Sequence, residues 1–316
     1  MPELDSLRTL YPDPVPPSEE VRAHARALLE VRFEQRRSRR RWVFATAGLA
    51  AAGASAAVLV SVGVNGRGDA SAATRVLEHA AAAARRQAPL GKLDSGRYLY
   101  VKSVDAYLNT VVPADSPYFS VLVPHVREVW LGSNRGLLRE TDGAPTFLTA
   151  RDRDRWIAAG RPPLASRRPT ETKLGPLRPL GLPADPDALY ARLKRDATGH
   201  GDGLYEEMFT LVGDSLRETN PTPAQRAALY GVAARIPGVE LVGTVRDPIG
   251  RRGIAVAMRH GEDGVRETLV VDPSTGELLS EEQVALAGNR FGYPAGAVVG
   301  HATYVTRSVV TGFMRP

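Results

Sequence analysis

The feature that most constrains this chain is the 22-residue run from Val43 to Val64, which carries no charged side chain and directly follows five arginines packed between Arg36 and Arg41. As a helix, a run of that length would extend about 33 Å, against roughly 30 Å for the hydrocarbon core of a bilayer. The spacing therefore predicts one transmembrane helix. Arg32, Arg36, Arg37, Arg39, Arg40 and Arg41 lie before the run, and the nearest basic residues after it are Arg67 and Arg75. Such an imbalance places the N terminus in the cytoplasm, because positive flanks are retained inside. Trp42 falls at the boundary, where an amphipathic indole is favoured.

Two readings of the run stand side by side. In the first it is a retained anchor, with Arg36 to Arg41 as a basic flank against anionic lipid. In the second, Ser38-Arg39-Arg40-Arg41-Trp42-Val43 is the core of a twin-arginine export signal, and Ala70-Ser71-Ala72 is its small-residue cleavage site. The long n-region and the Trp where that pattern has Phe favour the anchor. Both readings carry everything after Val64 out of the cytoplasm, so the expected location is the cell membrane, with a single pass and an extracytoplasmic C-terminal domain. The arginine run is thus assigned to topology, and no nucleic-acid partner is expected.

The expected organisation is a cytoplasmic segment at 1–41, a span at 43–64, a linker and helix at 65–95, and an extracytoplasmic domain at 96–316. Within the first segment, "YPDPVPP" forms an extended linker. Residues 18–35 then form a helix with Ser18 as N-cap and Val21, Ala25, Leu28 and Leu29 on one face. That helix either continues into the span or docks on a cytoplasmic regulatory protein. Beyond the span, Ala72 to Arg86 reads as an Ala-rich helix.

The outer part reads as strands, then helices, then strands. "GRYLYVKSV", "HVREVWLGS" and "GLLRETDG" alternate bulky or β-branched residues with polar ones. Arg161 to Pro186, rich in Pro and Arg, reads as a long surface loop. Three helices follow in "DPDALYARLKRDA", "DGLYEEMFTLVGDSLRET" and "TPAQRAALYGVAARIPG", the last with Thr222 as cap and Pro223 in the first turn. Strands return in "VELVGTVRDPIG", "RRGIAVAMRH", "VRETLVVDPSTGELLSEEQVAL" and "GHATYVTRSVVTGF", with turn chemistry in "RDPIGR" and "DPSTGE". This order implies an α+β fold: an antiparallel, curved, half-barrel-like sheet with its helices on one face.

No catalytic, cofactor-binding or metal-ligating residue emerges. The chain has no cysteine, which removes thiolate metal sites, disulfides and cysteine nucleophiles. His24, His79, His125, His200, His260 and His301 are scattered, without the paired spacing that metal binding requires. The string Gly213-Asp214-Ser215-Leu216 spells the signature of a serine hydrolase family, yet it sits in a helical pattern. No histidine has an Asp three residues before it, and Ser215 lacks a nominated base. "RDRDR" around Asp152 and Asp154 reads as a solvated, self-neutralising run, and "GHGDG" at 199–203 lacks the lysine of a phosphate loop. The expectation is a protein that is not an enzyme.

The blocks "YLYVKS", "REVWLG", "DALYARL", "LVGDSLRET", "RAALYGVAARIPGV", "GRRGIAVA" and "LVVDPSTGELL" resemble a family of uncharacterised actinobacterial single-pass membrane proteins, often found beside extracytoplasmic-function sigma factors. The resemblance implies an anti-sigma-like or envelope-sensing role. The element order is also similar to the curved sheets of periplasmic lipoprotein carriers and of sigma-regulator sensor domains, which implies a hydrophobic or protein ligand outside. Two functions follow as expectations: a binding or sensing domain linked to sigma-factor regulation, and a lipid- or lipoprotein-binding carrier. With no cysteine and only His24 inside, the zinc motif common in anti-sigma domains is missing, so any sigma contact falls to residues 18–35.

Overall fold

A computed structural model describes residues 70–113, 116–166, 168–177, 181–199, 203–217 and 219–313. The run Val43 to Val64, its arginine flank and residues 18–35 lie outside the described residues. Among those that are described, no helix is long and apolar enough to cross a membrane.

The described chain begins with α1 (Ala70–Arg85), followed by β1 (Arg97–Val111), β2 (Phe119–Leu122), β3 (His125–Leu131) and β4 (Gly136–Asp142). A short α2 (Ala150–Ala158) leads to β5 (Thr170–Leu174). Three consecutive helices come next: α3 (Pro186–Ala197), α4 (Leu204–Arg217) and α5 (Pro223–Ala233). The chain closes with β6 (Glu240–Arg246), β7 (Arg252–His260), β8 (Val265–Val271), β9 (Leu278–Ala285) and β10 (Val298–Thr311). This is the α+β order expected from the sequence, built on one large antiparallel sheet.

The strands run β5-β4-β3-β1-β10-β9-β8-β7-β6 across the sheet, with β2 paired to the far end of β1. Both terminal runs of strands are simple meanders, and the sheet is completed where the long β1 and β10 pair from Arg97↔Thr311 to Tyr107↔Gly300. Register shifts occur at Lys102/Ser103, Val298/Gly300, Leu241/Gly243 and Val270/Val271. Each such bulge bends its strand and sharpens the local twist, in keeping with the expected curvature.

The main core lies where α1, α3, α4 and α5 pack on one face of β6 to β9. Leu77, Leu189, Leu193, Met208, Phe209, Val212, Leu229 and Val232 meet Val256, Met258, Leu269 and Val271 there. Because strand side chains alternate, only one phase of each strand joins this core. Helix starts are fixed locally. Asp185 accepts from the Asp187 and Ala188 amides, and Thr222 with Gln225 forms a full capping box ahead of Pro223. In the β8–β9 turn, Gly276 has φ +67°, and a Cβ there would come within 2.6 Å of the Ala80 carbonyl oxygen. Glycine is required at this point for the turn to rest on α1.

Two local expectations change. The segment 161–186 is not all loop, because Thr170–Leu174 adds to the sheet edge beside β4. Its alternation is short and interrupted by Pro and Arg, so pairing with a preformed edge decides it. Asp152 of "RDRDR" is fully buried rather than solvated. Thr149 caps α2 by accepting from the Asp152 amide, and the Asp152 carboxylate accepts from the Ser120 amide and the Thr149 hydroxyl, tying α2 to β2.

Candidate functional site

The helix-facing side of the sheet is not uniformly apolar. Following the register from strand to strand, β4 contributes Glu140 and Asp142, β3 His125 and Arg127, and β1 Asp105 and Tyr107. Then come Tyr304 on β10, Glu281 on β9, Glu267 on β8 and His260 on β7. These residues form a polar lane across the sheet, beside the apolar positions Leu99, Val101, Val129, Leu131 and Leu138. Groups of this kind are buried only at a cost unless they satisfy each other.

They do so around Arg217, at the C-terminal end of α4. Its Nε donates to Glu281 Oε2 at 2.7 Å, an Nη group lies 3.7 Å from Glu267 Oε1, and the guanidinium also pairs with Asp214 one turn back. The hydroxyls of Tyr107 and Tyr304 both donate to Glu281 Oε1, at 2.6 and 3.1 Å. On the other side, Thr210 Oγ1 donates to Glu267 Oε2 at 2.9 Å, and His260 Nε2 lies 3.1 Å from the same oxygen. One arginine from a helix is thus matched to two carboxylates from adjacent strands, each carboxylate held by further donors. A basic residue in the last helical turn also complements the helix dipole.

The electrostatics agree with that geometry. Burial by itself would lower the affinity of Arg217 for its proton, but Glu281 and Asp214 overcome it and hold the guanidinium firmly charged. Burial pushes the Glu267 carboxyl up, while the His260 hydrogen bond and charge, then Arg217 and Thr210, bring it below its ordinary value. Tyr107 is raised well above a normal phenol by burial and by Glu281, so it stays a donor.

At the far end of the lane, His125 Nδ1 lies 2.7 Å from Asp142 Oδ1, and the Ser166 amide donates to the other Asp142 oxygen at 3.2 Å. Arg127 Nε donates to Glu140 at 3.1 Å. Burial raises Glu140, against the opposing pull of Arg127 and His125.

The residues considered at the sequence level fall as follows. Ser215 is buried and its hydroxyl donates to the Leu211 carbonyl of its own helix at 2.7 Å, so the hydroxyl is engaged within α4. Its neighbour Asp214 belongs to the Arg217 cluster. His260 faces Glu267, His125 faces Asp142, and His79 is exposed on α1. His24 and His200 lie outside the described residues, as does most of "GHGDG". Among the described residues no three His, Asp or Glu side chains are arranged to hold a metal. The Arg217 cluster itself escaped sequence reasoning. Its one signal was the charge placed inside otherwise apolar strands, in "VRETLVV" and "LLSEEQVA", where Glu267 and Glu281 fall in the phase of Leu269 and Met258.

No family model matches this chain, and no curated protein matches it, so the family resemblance of its sequence blocks gains no support from that direction. Among solved structures, the Pseudomonas aeruginosa MucA/MucB complex is similar at 12% identity and a TM-score of 0.24, over 76% of this chain and 58% of that one. MucB in complex with MucA(peri) is similar at 11% identity and a TM-score of 0.24, over 76% and 56%. The match therefore spans little more than half of either structure's own chain, and at that TM-score it carries no inference about ligand or partner.

Proposed function

We propose that this is a non-enzymatic, single-pass membrane protein whose extracytoplasmic α+β domain binds or senses a ligand, with the output directed to sigma-factor or envelope regulation through residues 18–35. The observation that supports the reading is the way the polar groups of the inner face are spent. Arg217, Glu267, Glu281, Tyr107, Tyr304 and His260 hold one another and join α4 to five strands. A nucleophile in catalysis needs a base within hydrogen-bond reach, and Ser215 instead bonds its own helix. A helix joined to a sheet by charges is suited to switching, because each ion pair has a defined partner that a competing charge can replace.

The carrier reading is the weaker one. It drew on a curved sheet with an apolar interior, whereas the inner face carries the polar lane.

Transcript profiling in the native host tests the proposal. A strain lacking residues 18–35 should show the same altered envelope-stress transcripts as a strain lacking the whole protein. Unchanged transcripts in both strains would sink the regulatory reading. Solvent extraction of the purified full-length protein followed by mass spectrometry tests the carrier alternative, and a stoichiometric lipid would restore it.

A further inference from the structure

Beside the Arg217 cluster, a small cavity of about 50 Å³ lies between β10, the β8–β9 turn and helices α4 and α5. A single water needs roughly 10–15 Å³ by the same kind of measure, so the space exceeds one water several-fold. Four arginines line it: Arg217, Arg226, Arg251 and Arg307. Two of them are matched elsewhere. Arg217 has Glu281, Asp214 and Glu267, and Arg251 pairs with Asp247 at 2.6 Å.

Arg226 and Arg307 are not matched in this way. The Arg226 side chain is 8% exposed, and among the described residues its one ionic partner is Glu277 at 3.8 Å, too long for a hydrogen bond, with the Glu277 side chain itself 46% exposed. Arg307 directs its Nη groups at the end of α4, donating to the carbonyls of Leu216 at 2.8 Å, Arg217 at 3.0 Å and Thr219. Those carbonyls are uncharged, and the Arg307 Nε is shut away from solvent with no partner among the described residues. Among the described residues, the buried Arg226 and the partly buried Arg307 thus share one half-exposed carboxylate. Burial, followed by repulsion from Arg226, pushes Arg307 down to about 10, as expected of a cation short of counter-charge.

We propose that Arg226 and Arg307 form a binding site for a free tetrahedral oxyanion, inorganic phosphate or sulfate. An anion there supplies the missing charge and accepts from the Arg307 Nε and the Arg226 guanidinium, whose planar forks suit paired oxygen acceptors. Arg226 lies in the first turn of α5, whose positive dipole end adds to the attraction. The small volume favours a free ion over a group carried by a larger molecule. The site goes beyond the regulatory reading and does not depend on it.

Isothermal titration of the full-length protein with inorganic phosphate, at constant ionic strength set by chloride, tests the site. Phosphate should bind with one-to-one stoichiometry. Arg226→Gln should weaken it at least tenfold, and Glu277→Gln, which removes the competing carboxylate, should tighten it several-fold. Because Glu277 is half exposed, the second variant reads the site even if the first folds poorly. Phosphate heats no greater than those of chloride, or affinities unchanged in Glu277→Gln and in a folded Arg226→Gln, overturn the proposal. So does Arg226-dependent sedimentation with phosphatidylglycerol vesicles in the absence of any response to inorganic phosphate, which would assign the charge to a lipid-borne phosphoryl group.

Discussion

The two halves of the sheet bury their side chains by different means. From β6 to β9 the face toward the helices is closed by four helices, and its apolar set of Val256, Met258, Leu269 and Val271 shares that face with the charges Glu267 and Glu281. On β1 and β3 the large aromatics Tyr98, Tyr100 and Trp130 occupy the opposite face, joined by Leu137 and Val310. There Tyr100 stacks 5.1 Å from Trp130 and donates to Glu128 at 2.8 Å, while Arg139 lies over the Trp130 ring. One half thus uses a helix-borne arginine to make buried carboxylates tolerable, and the other uses aromatic surface with a polar rim. Charge neutrality is the vulnerable term in the first half, and packing area in the second.

The comparison breaks most sharply at Arg217. Replacing it by Met leaves Glu281 and Glu267 buried without their cation, and should cost about 3–5 kcal/mol in denaturant unfolding. Adding Glu267→Gln and Glu281→Gln to Arg217→Met should recover much of that loss, because the penalty comes from unpaired charge. A single Arg217→Met variant within 1 kcal/mol of the native protein would show that the cluster is not what holds α4 to the strands.

The second effect is a pH dependence. Glu282, on the sheet face away from Glu281, is pushed up to about 7 by burial, which Arg266 only partly offsets. Between about pH 4.5 and 7 the folded protein therefore keeps a proton that the unfolded chain has released. Stability must fall as pH rises through that window, by about 3 kcal/mol at most, and level off above it. His301 pairs with Glu282 across β9 and β10, and burial lowers it, so its contribution has the opposite slope below its ordinary value. Glu282→Gln should flatten or invert the pH profile of the melting temperature. An unaltered downward slope in that variant would place the titrating group elsewhere, with Glu140 the next to test.

The smallest expected change is Tyr100→Phe. It removes one buried donor to Glu128 while keeping the ring against Trp130, and should cost about 1–3 kcal/mol, below the loss at Arg217. A larger loss than at Arg217 would reverse the ranking of the two halves.

Much of the fold was legible in the sequence. The β-branched alternation of "HVREVWLGS" and "VRETLVV", the turns in "DPSTGE" and "RDPIGR", and the Thr222-Pro223 helix start are local features, and local chemistry settles them. Thr170–Leu174 was not legible, because five alternating residues become a strand only when the β4 edge is present to pair with them. Asp152 was misjudged for a related reason. A carboxylate between arginines reads as solvated until β2 supplies an amide for it to accept.

What the sequence by itself determined is therefore most of the helices and strands and their order, with β2, α2 and β5 left to the tertiary structure. It also determined the uncharged run Val43 to Val64 with its arginine flank, since length and charge along a chain need no partner to be read. Only the tertiary structure decided which charges meet. Arg217 is 64 residues from Glu281, and Tyr107 is 174 residues from it. The β1–β10 pairing joins the two runs of strands in the middle of the sheet, and the burial of those groups makes their mutual neutralisation obligatory.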